Sequence, residues 1–210
     1  MPQPLKYLRE SPSQTAGPYV HIGLAPGAAG FDIYRQELGH DMAPASVPGE
    51  RIRVEGCVID GMGAIVKDVL IEVWQADAAG IYPHPEDPRH TKAAPGFRGW
   101  GRVISDFETG LWAFDTIKPG PVPGPNGQMM APHISLWIVS RGINIGLSTR
   151  LYFSDEAAAN ATDPVLNLIE QPERRTTLIA QRDTTATAPE PLYRFDIRLQ
   201  GADETVFLDI

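Results

Sequence analysis

The sequence predicts an all-β protein, a β-sandwich with an irregular N-terminal arm and one short helix. Twenty glycines and twenty prolines among 210 residues disfavour long helices, because proline breaks a helix and glycine weakens it. Seven or eight short stretches alternate between apolar and polar residues, which is the period of a half-buried strand. Only one stretch has the composition of a helix. Short strands at this spacing, joined by turns, are typical of a sandwich.

The chain is predicted to divide into an arm, residues 1–50, and a sandwich domain, residues 51–210. The arm contains the Pro-, Gly- and Ser-rich run SPSQTAGPYVHIGLAPGAAG and closes with HDMAPASVPGE. A segment of this composition has no core of its own. We therefore expect it to pack on its own domain or on a partner chain.

The first strands of the sandwich are predicted from their alternation. In RIRVEGCVID, Ile52, Val54 and Val58 are expected to share one face before a turn at Asp60. The next segment, VLIEVWQ, is apolar on both faces, which indicates a central strand covered on both sides. A Pro- and His-rich loop follows, and GRVISDFETGLWAFDTIKPG predicts a hairpin.

Two more strands are predicted in HISLWIVS, which begins at His133, and in STRLYFSD. The helical candidate is SDEAAANATDPVLNLI, in which Ser154 is the expected N-cap and Asp155 and Glu156 lie in the first turn. LYRFDIRLQ then alternates over its whole length and predicts a further strand.

Composition limits the classes of function. A formal net charge of −8, from 18 Lys+Arg and 26 Asp+Glu, disfavours nucleic-acid binding, which needs a clustered basic surface. No segment has the apolar length of a membrane span, and the N-terminal residues lack the apolar run of a signal peptide. The single Cys57 excludes an internal disulfide and indicates a reducing compartment. We expect a cytoplasmic protein that binds neither nucleic acid nor a membrane.

Candidate metal ligands are few. No H-x-H, HExxH or CxxC pattern is present, and nucleotide and hydrolase motifs are also absent. His133 and Ser135 share a face of their predicted strand, so a histidine stands where a metal site on a sheet would need a pair. Tyr82 is a candidate phenolate ligand, although a loop tyrosine more often packs. A lone histidine is likewise more often a surface or core residue than a ligand, which applies to His21, His40, His84, His90 and His133.

Arg141, in VSRGIN, is a candidate for binding an acidic group. It lies just past a predicted strand end, and Gly142 after it permits close approach of backbone or ligand. A guanidinium binds a carboxylate through two parallel hydrogen bonds. From the residue pattern alone, an ion pair on the surface is the more frequent role.

Several long stretches together resemble the intradiol ring-cleavage dioxygenases. They are SPSQTAGPYVHIGL, GCVIDGMG, VLIEVWQADAAGIY, FDTIKPG, APHISLWIVSRGIN and the C-terminal run from TRLYF to FLDI, so the resemblance extends from about residue 11 to the C terminus. It implies a β-sandwich of the intradiol dioxygenase type, in agreement with the strand pattern. Catalytic chains of this family hold a non-haem ferric ion with two tyrosines and two histidines, because phenolate oxygens suit Fe(III) and imidazoles complete the site.

Transferred to this sequence, the resemblance fills two of the four ligand positions, with Tyr82 and His133. The other two positions hold Val122 and Ser135, neither of which is a strong donor to Fe(III), and Met130 stands where catalytic chains have an arginine. The resemblance therefore implies that this chain binds no metal and that its enzyme carries Fe(III) in a homologous partner, the beta chain.

The implied enzyme cleaves protocatechuate with O2 to 3-carboxy-cis,cis-muconate, in aromatic catabolism through the β-ketoadipate pathway, as a symmetric hetero-oligomer. This chain would have no catalytic residue of its own and would wall the iron pocket of the beta chain. Arg141 resembles the arginine that meets the substrate carboxylate. The wall-forming loop corresponds to Thr15, Gly17, Pro18 and Tyr19.

Two other hypotheses remain open on the sequence. The chain could be a self-sufficient Fe(III) dioxygenase with divergent ligands, recruiting His84 or His90 from the Tyr82 loop. It could also be a β-sandwich binding module without chemistry. The iron content and visible absorption of the isolated chain test the first hypothesis. A partner that carries Tyr and His at the two missing positions would argue against the second.

Overall fold

The computed structural model describes residues 15–36, 38–124 and 127–209. The strands of these ranges are β1 Arg51–Gly56, β2 Val58–Ile59, β3 Leu70–Trp74, β4 Trp100–Ile104, β5 Trp112–Ile117, β6 Val122–Pro123, β7 Met129–Met130, β8 His133–Val139, β9 Leu147–Phe153, β10 Ile179–Asp183, β11 Leu192–Arg194 and β12 Ile197–Arg198. Eight of them form one sheet in the order β4-β3-β8-β9-β10-β11-β1-β5 within the described chain, and β2 pairs with β12 and β6 with β7.

The sheet forms two facing halves around one core, which confirms the predicted β-sandwich. β10 joins the halves, because it pairs with β9 on one side and with β11 on the other. The core cluster draws Val73 and Leu136 from one half and Val54 and Trp112 from the other. Burial of these apolar side chains between the two halves is the main source of stability in such a fold.

Alternation in the first strands follows the prediction. Ile52 and Val54 are fully buried in the core. The residues that alternate with them are half-buried, namely Arg51, Arg53 and Glu55. β3 lies between β4 and β8, with Ile71 and Val73 in the core. Its central position is therefore confirmed.

The predicted hairpin between β4 and β5 is wrong. β4 pairs with β3 and β5 pairs with β1, so the two strands stand at opposite ends of the sheet order. The turn between them is held by Asp106, whose carboxylate accepts hydrogen bonds from the backbone N of Glu108 at 3.0 Å and of Thr109 at 2.6 Å. This turn takes the chain from one half of the sandwich to the other. Alternation identifies a strand but does not identify its partner.

The segment LYRFDIRLQ is also interrupted. It forms β11, which pairs with β1 and β10, and β12, which pairs with β2. Asp196 lies at the break and accepts a hydrogen bond from the backbone N of Cys57 at 2.9 Å. A single strand over the whole segment is therefore a wrong prediction.

The described helices are short, as the glycine and proline content predicts, but the prediction of one helix is wrong. They are α1 Pro18–Leu24, α2 Ala157–Thr162 and α3 Pro172–Arg175, with 3-10 turns at His90–Lys92, Leu166–Leu168 and Thr176–Leu178. α1 and α3 each have a proline in the first turn, where its fixed φ suits a helix and its missing N–H costs nothing. None of the helices in the described ranges is long and apolar enough to cross a membrane.

The N-cap of α2 differs from the prediction. Glu156 occupies that position and makes no capping hydrogen bond through its side chain. The hydroxyl of Ser154, the predicted cap, instead accepts a hydrogen bond from the backbone N of Arg182 at 3.0 Å. Ser154 is thus used to join the strand end to β10.

Part of the arm packs on its own domain. Met42 lies in the main core, and Ala43 and Val47 form a second buried cluster with residues of the sandwich. The backbone N of Arg102 in β4 donates to the carbonyl of Gly39 at 3.0 Å. Ahead of this contact, the arm leaves several large apolar side chains exposed, namely Tyr19, Phe31, Ile33, Tyr34 and Leu38. We call these five side chains the arm patch.

Asp163 anchors the loops that cover the outer face of the sheet. Its carboxylate is fully buried and accepts hydrogen bonds from the Tyr152 hydroxyl at 3.1 Å and from the backbone N of Ala131 at 2.8 Å. The backbone N atoms of Val165 and Leu166 donate to the same group. One carboxylate therefore joins β9, the residues before β8 and the segment after α2.

Replacing this carboxylate is expected to destabilise the protein strongly. Asp163→Ala leaves buried N–H and O–H donors unpaired and is expected to lower the free energy of unfolding by about 3–4 kcal/mol. Tyr152→Phe removes one donor only and is expected to cost about 1 kcal/mol. Urea unfolding followed by circular dichroism measures both. Equal losses in the two variants would contradict the anchoring role of Asp163.

Candidate functional site

The candidate site residues predicted from the sequence lie in two places. The first is the outer face of the sheet at β3, β8 and β9. Strand register places Trp74, Ser135 and Arg150 in one row across the three strands, and His133 and Tyr152 in the adjacent row. Side chains directly opposite in an antiparallel pair lie on the same face. The alternate residues of β8 and β9 enter the core, so these two rows face away from it.

His133 is buried, with 2% of its surface exposed. Its Nδ1–H donates to the carbonyl of Ala131 at 2.8 Å, which leaves Nε2 as the unprotonated nitrogen of the ring. Nε2 is buried and has no hydrogen-bond partner within the described ranges. Burial, followed by the charge of Arg150, lowers the pKa of His133 to about 4. The imidazole is therefore neutral at pH 7.

Tyr82 is held on this face by stacking. Its ring lies parallel to that of Trp74, with centroids 5.7 Å apart and an interplanar angle of 4°. Burial raises the pKa of Tyr82, so the phenol stays protonated at neutral pH. The loop before it is organised by Asp77, a buried carboxylate that accepts hydrogen bonds from the backbone N of Ala79, Ile81 and Ala94.

Val122 lies beside Tyr82. A cavity of about 370 Å³ is lined by both residues and by Trp74 and His84. The two loops touch directly, because a Cβ built on Gly80, at φ +71°, would lie 1.9 Å from the carbonyl oxygen of Pro121. Only glycine fits there. The structure thus brings Tyr82 and Val122 next to the face that carries His133 and Ser135.

This donor set does not fit a ferric ion. Val122 has no donor atom, and Ser135 offers only a neutral hydroxyl in place of an imidazole. His84 and His90 are exposed. The Nδ1 of His84 accepts from the backbone N of Glu86 at 3.3 Å, and that of His90 lies 2.9 Å from the carbonyl of Asp87. Within the described ranges, no group of three or more His, Cys, Asp or Glu side chains is placed to hold a metal ion.

The second place is the turn after β8, which carries Arg141. The side chain of Arg141 is 68% exposed, and its Nε–H donates to Asp68. The other oxygen of Asp68 accepts from the Ser140 hydroxyl at 3.1 Å. Asp68 therefore holds both residues at the end of β8. The Nη groups of Arg141 have no hydrogen-bond partner in the described part of the chain.

Thr15 is joined to the same turn. Its hydroxyl accepts a hydrogen bond from the backbone N of Gly142 at 2.7 Å and lies 3.4 Å from the carbonyl of Ser140. Gly142 has φ +84° and no atom within 4 Å of a built Cβ. Glycine is therefore needed at position 142 because of its positive φ. No neighbouring backbone approaches it closely, contrary to the expectation from the sequence.

The other residues of the predicted wall follow Thr15. Gly17 is the N-cap of α1, Pro18 begins the helix, and the side chain of Tyr19 is 84% exposed. A cavity of about 340 Å³ next to Arg141 is lined by Asp68, His21, Phe31 and Phe107, among others. The structure brings Thr15 and Arg141 together, and α1 contributes His21 and Ile22 to the cavity beside Arg141.

Sequence reasoning missed four residues that shape these places. Asp77 in QADAAG and Asp163 in TDPV each stand before a turn, and an aspartate that accepts backbone N–H groups in a turn is a recognisable signal. Asp68 and Arg150 gave no such signal. The partner of Asp68 is 73 positions away, and Arg150 is placed by the pairing of β8 with β9.

We compared the sequence and the fold of this chain with those of known proteins. A sequence model of the family described as Dioxygenase matches residues 30–201. The alpha chain of protocatechuate 3,4-dioxygenase from Pseudomonas putida is 52% identical over 206 residues, which are 98% of this chain and 99% of the relative. The beta chain of protocatechuate 3,4-dioxygenase from Burkholderia cepacia is 37% identical, over 80% of this chain and 74% of the relative.

Solved structures show the same fold. The dioxygenase domain of a dioxygenase carbohydrate-binding protein fusion from Streptomyces sp. SirexAA-E superposes with a TM-score of 0.53 and 25% identity, covering 77% of this chain and 86% of that domain. The similarity therefore extends over most of the sandwich.

The donor set predicts the metal content of the chain. Purified without a partner and desalted after exposure to ferric iron, the chain is expected to retain well under one equivalent of iron and to stay colourless. Two of the four donors are missing, and neither the hydrocarbon side chain of Val122 nor the neutral hydroxyl of Ser135 can replace them as ligands. Elemental analysis and visible absorption measure this. Stoichiometric iron together with a tyrosinate–ferric charge-transfer band would contradict it.

Proposed function

The chain belongs to the dioxygenase family, and from that premise we propose that it is the alpha chain of a two-chain enzyme that cleaves protocatechuate. The observation that carries the proposal is the 52% identity, over 98% of the chain, to a protocatechuate 3,4-dioxygenase alpha chain. The holoenzyme cleaves the ring between its two hydroxyl groups with O2 and forms 3-carboxy-cis,cis-muconate. We place this reaction in the cytoplasm, in the β-ketoadipate pathway.

The iron of this enzyme is held by the beta chain, a homologue that carries Tyr and His at the positions of Val122 and Ser135. The similarity of this chain to a beta chain supports the proposal, since related chains can pair about a pseudo-twofold axis. The arm patch also supports it, because a partner chain would bury these five exposed apolar side chains. We propose that the arm, residues 1–50, packs on the beta chain and that the pairs assemble further into a symmetric hetero-oligomer.

In this proposal Arg141 binds the carboxylate of protocatechuate, and Thr15, Gly17, Pro18 and Tyr19 wall the pocket. The support is geometric. Nε of Arg141 is used by Asp68, which leaves the Nη groups to form hydrogen bonds with a carboxylate. Thr15 is hydrogen-bonded to the same turn, so the first residue of the wall is joined to the turn that carries the arginine. This chain then binds and orients the substrate, and the bonds of the ring are broken at the beta chain.

Substitution of Arg141 tests the substrate contact. A charge-assisted hydrogen bond to a carboxylate contributes roughly 1.5–3 kcal/mol, so Arg141→Leu in the assembled enzyme is expected to raise the KM for protocatechuate by about 10- to 100-fold. The value of kcat should fall less, because the carboxylate lies away from the reacting carbons. Steady-state kinetics of the co-produced two-chain enzyme measures both constants.

Catechol, which lacks the carboxylate, is the control substrate for this variant. Its KM is expected to change little, because no group on it pairs with the guanidinium. Equal losses for the two substrates would indicate general damage to the pocket. Unchanged kinetics for both would show that Arg141 does not bind the substrate, without affecting the assignment of the chain to the enzyme.

The arm patch predicts where the beta chain binds. Ile33→Asp is expected to weaken association with the beta chain by about 10- to 100-fold, because burying one isoleucine contributes roughly 1.5–3 kcal/mol and a buried aspartate is costly. Met62→Asp is the matched control, since Met62 is 92% exposed on a turn of the sandwich domain. Analytical ultracentrifugation of mixed chains measures the dissociation constant. Equal weakening by the two substitutions would place the contact elsewhere.

A further inference from the structure

Arg150 lies where the positions that correspond to the metal ligands of the family meet. It is directly opposite Ser135 in the β8–β9 pair, so the two side chains share a face. Its Nη1 atom is 3.3 Å from Sδ of Met130, and Met130 is the strand partner of Val122. The guanidinium is therefore close to both positions at which this chain lacks a donor.

Arg150 makes no direct ion pair with the described residues, although the buried carboxylate of Asp163 shares this region and also acts on the pKa of His133 and Tyr152. The Nε of Arg150 is buried and has no hydrogen-bond partner within these ranges. The ion pairs formed there include none made by Arg150. Arg150 is also within electrostatic range of the two retained ligand-type residues. Its charge lowers the pKa of both Tyr82 and His133, and in each case only burial has a larger effect on the pKa.

We propose that Arg150 is a fixed cation that takes the place of a metal ion in this chain and keeps metal ions out. A guanidinium is permanently charged and only donates hydrogen bonds, so it cannot act as a ligand. It repels a metal cation in proportion to the charge of the ion, and more strongly where water is excluded. In this proposal the chain binds no iron for two reasons, the missing donors at Val122 and Ser135 and the positive charge of Arg150.

This inference goes beyond the proposed function, because it concerns the chain's own pocket and depends on neither the substrate nor the partner. It has a consequence that missing donors alone do not have. Restoring Val122 and Ser135 to ligand residues should leave metal binding weak as long as Arg150 is present. Removing the cation as well should allow the restored donors to bind metal.

The experiment compares full-length variants that share the same restored donors. V122Y/S135H keeps Arg150, V122Y/S135H/R150Q removes the charge with little change of side-chain length, and V122Y/S135H/R150K keeps a positive charge. R150Q alone is the control for effects of the substitution itself. Each is loaded with Fe(III) and desalted. Bound iron is measured by elemental analysis and by the tyrosinate–ferric absorption band, and circular dichroism checks folding.

The expected result is near-stoichiometric iron with the visible band in V122Y/S135H/R150Q. At least tenfold less iron is expected in V122Y/S135H and in the R150K variant, and none in R150Q alone. The proposal is overturned if V122Y/S135H binds as much iron as V122Y/S135H/R150Q, including the case in which neither binds any. It is also overturned if the R150K variant binds as well as the R150Q variant, because charge would then not be the cause.

A smaller change keeps the test available if tyrosine cannot be accommodated at the buried Val122. S135H, S135H/R150Q and S135H/R150K are titrated with Co²⁺, whose visible spectrum reports coordination. S135H supplies a second imidazole beside His133, on the same face of β8. Co²⁺ should bind at least tenfold more tightly to S135H/R150Q than to either variant that retains a cation. Equal affinities would overturn the proposal.

Discussion

The pairing of β8 with β3 and β9 is the constraint on which both the core and the outer face depend. Because side chains alternate along a strand, one register sends Ile134 and Leu136 into the core and turns His133 and Ser135 outward. A slip of one residue would exchange the two sets. It would bring the polar side chains of His133 and Ser135 into the core and expose the aliphatic side chains of Ile134 and Leu136. Packing of the hydrophobic core therefore determines which side chains of β8 lie on the outer face.

The loops around this face are held by aspartates that accept backbone N–H groups. Asp77 organises the turn before Tyr82, and Asp163 joins the residues before β8 to the segment after α2. Asp68 holds the turn after β8 in a different way, by accepting hydrogen bonds from the side chains of Ser140 and Arg141. Hydrogen bonds to a charged acceptor are stronger than those between neutral groups. Loops without regular structure can therefore keep one shape at the edges of the sandwich.

The sequence predicts the strands and their buried faces well, because alternation is local. It predicts β8, β9 and the central position of β3, and it groups Tyr82 with His133 through resemblance to a family. It does not predict that β4 and β5 belong to opposite halves, since the partner of a strand is decided by long-range pairing. The position of Arg150 was missed for the same reason. Its role follows from the residue that lies opposite it, Ser135, and from Met130 twenty residues before it.

In a metal-binding chain of this family, coordination would tie together the Tyr82 loop, the segment at Val122 and β8. Here other contacts connect these segments. Stacking on Trp74 holds Tyr82, and the close approach of Gly80 to Pro121 joins its loop to β6. Arg150 connects β9 to β7 through Met130. Each contact is weak compared with a metal–ligand bond. Together, however, they connect the same segments that metal coordination would connect. A chain with these contacts can keep the shape of the family's pocket, and the surface around it, without a metal ion to organise it.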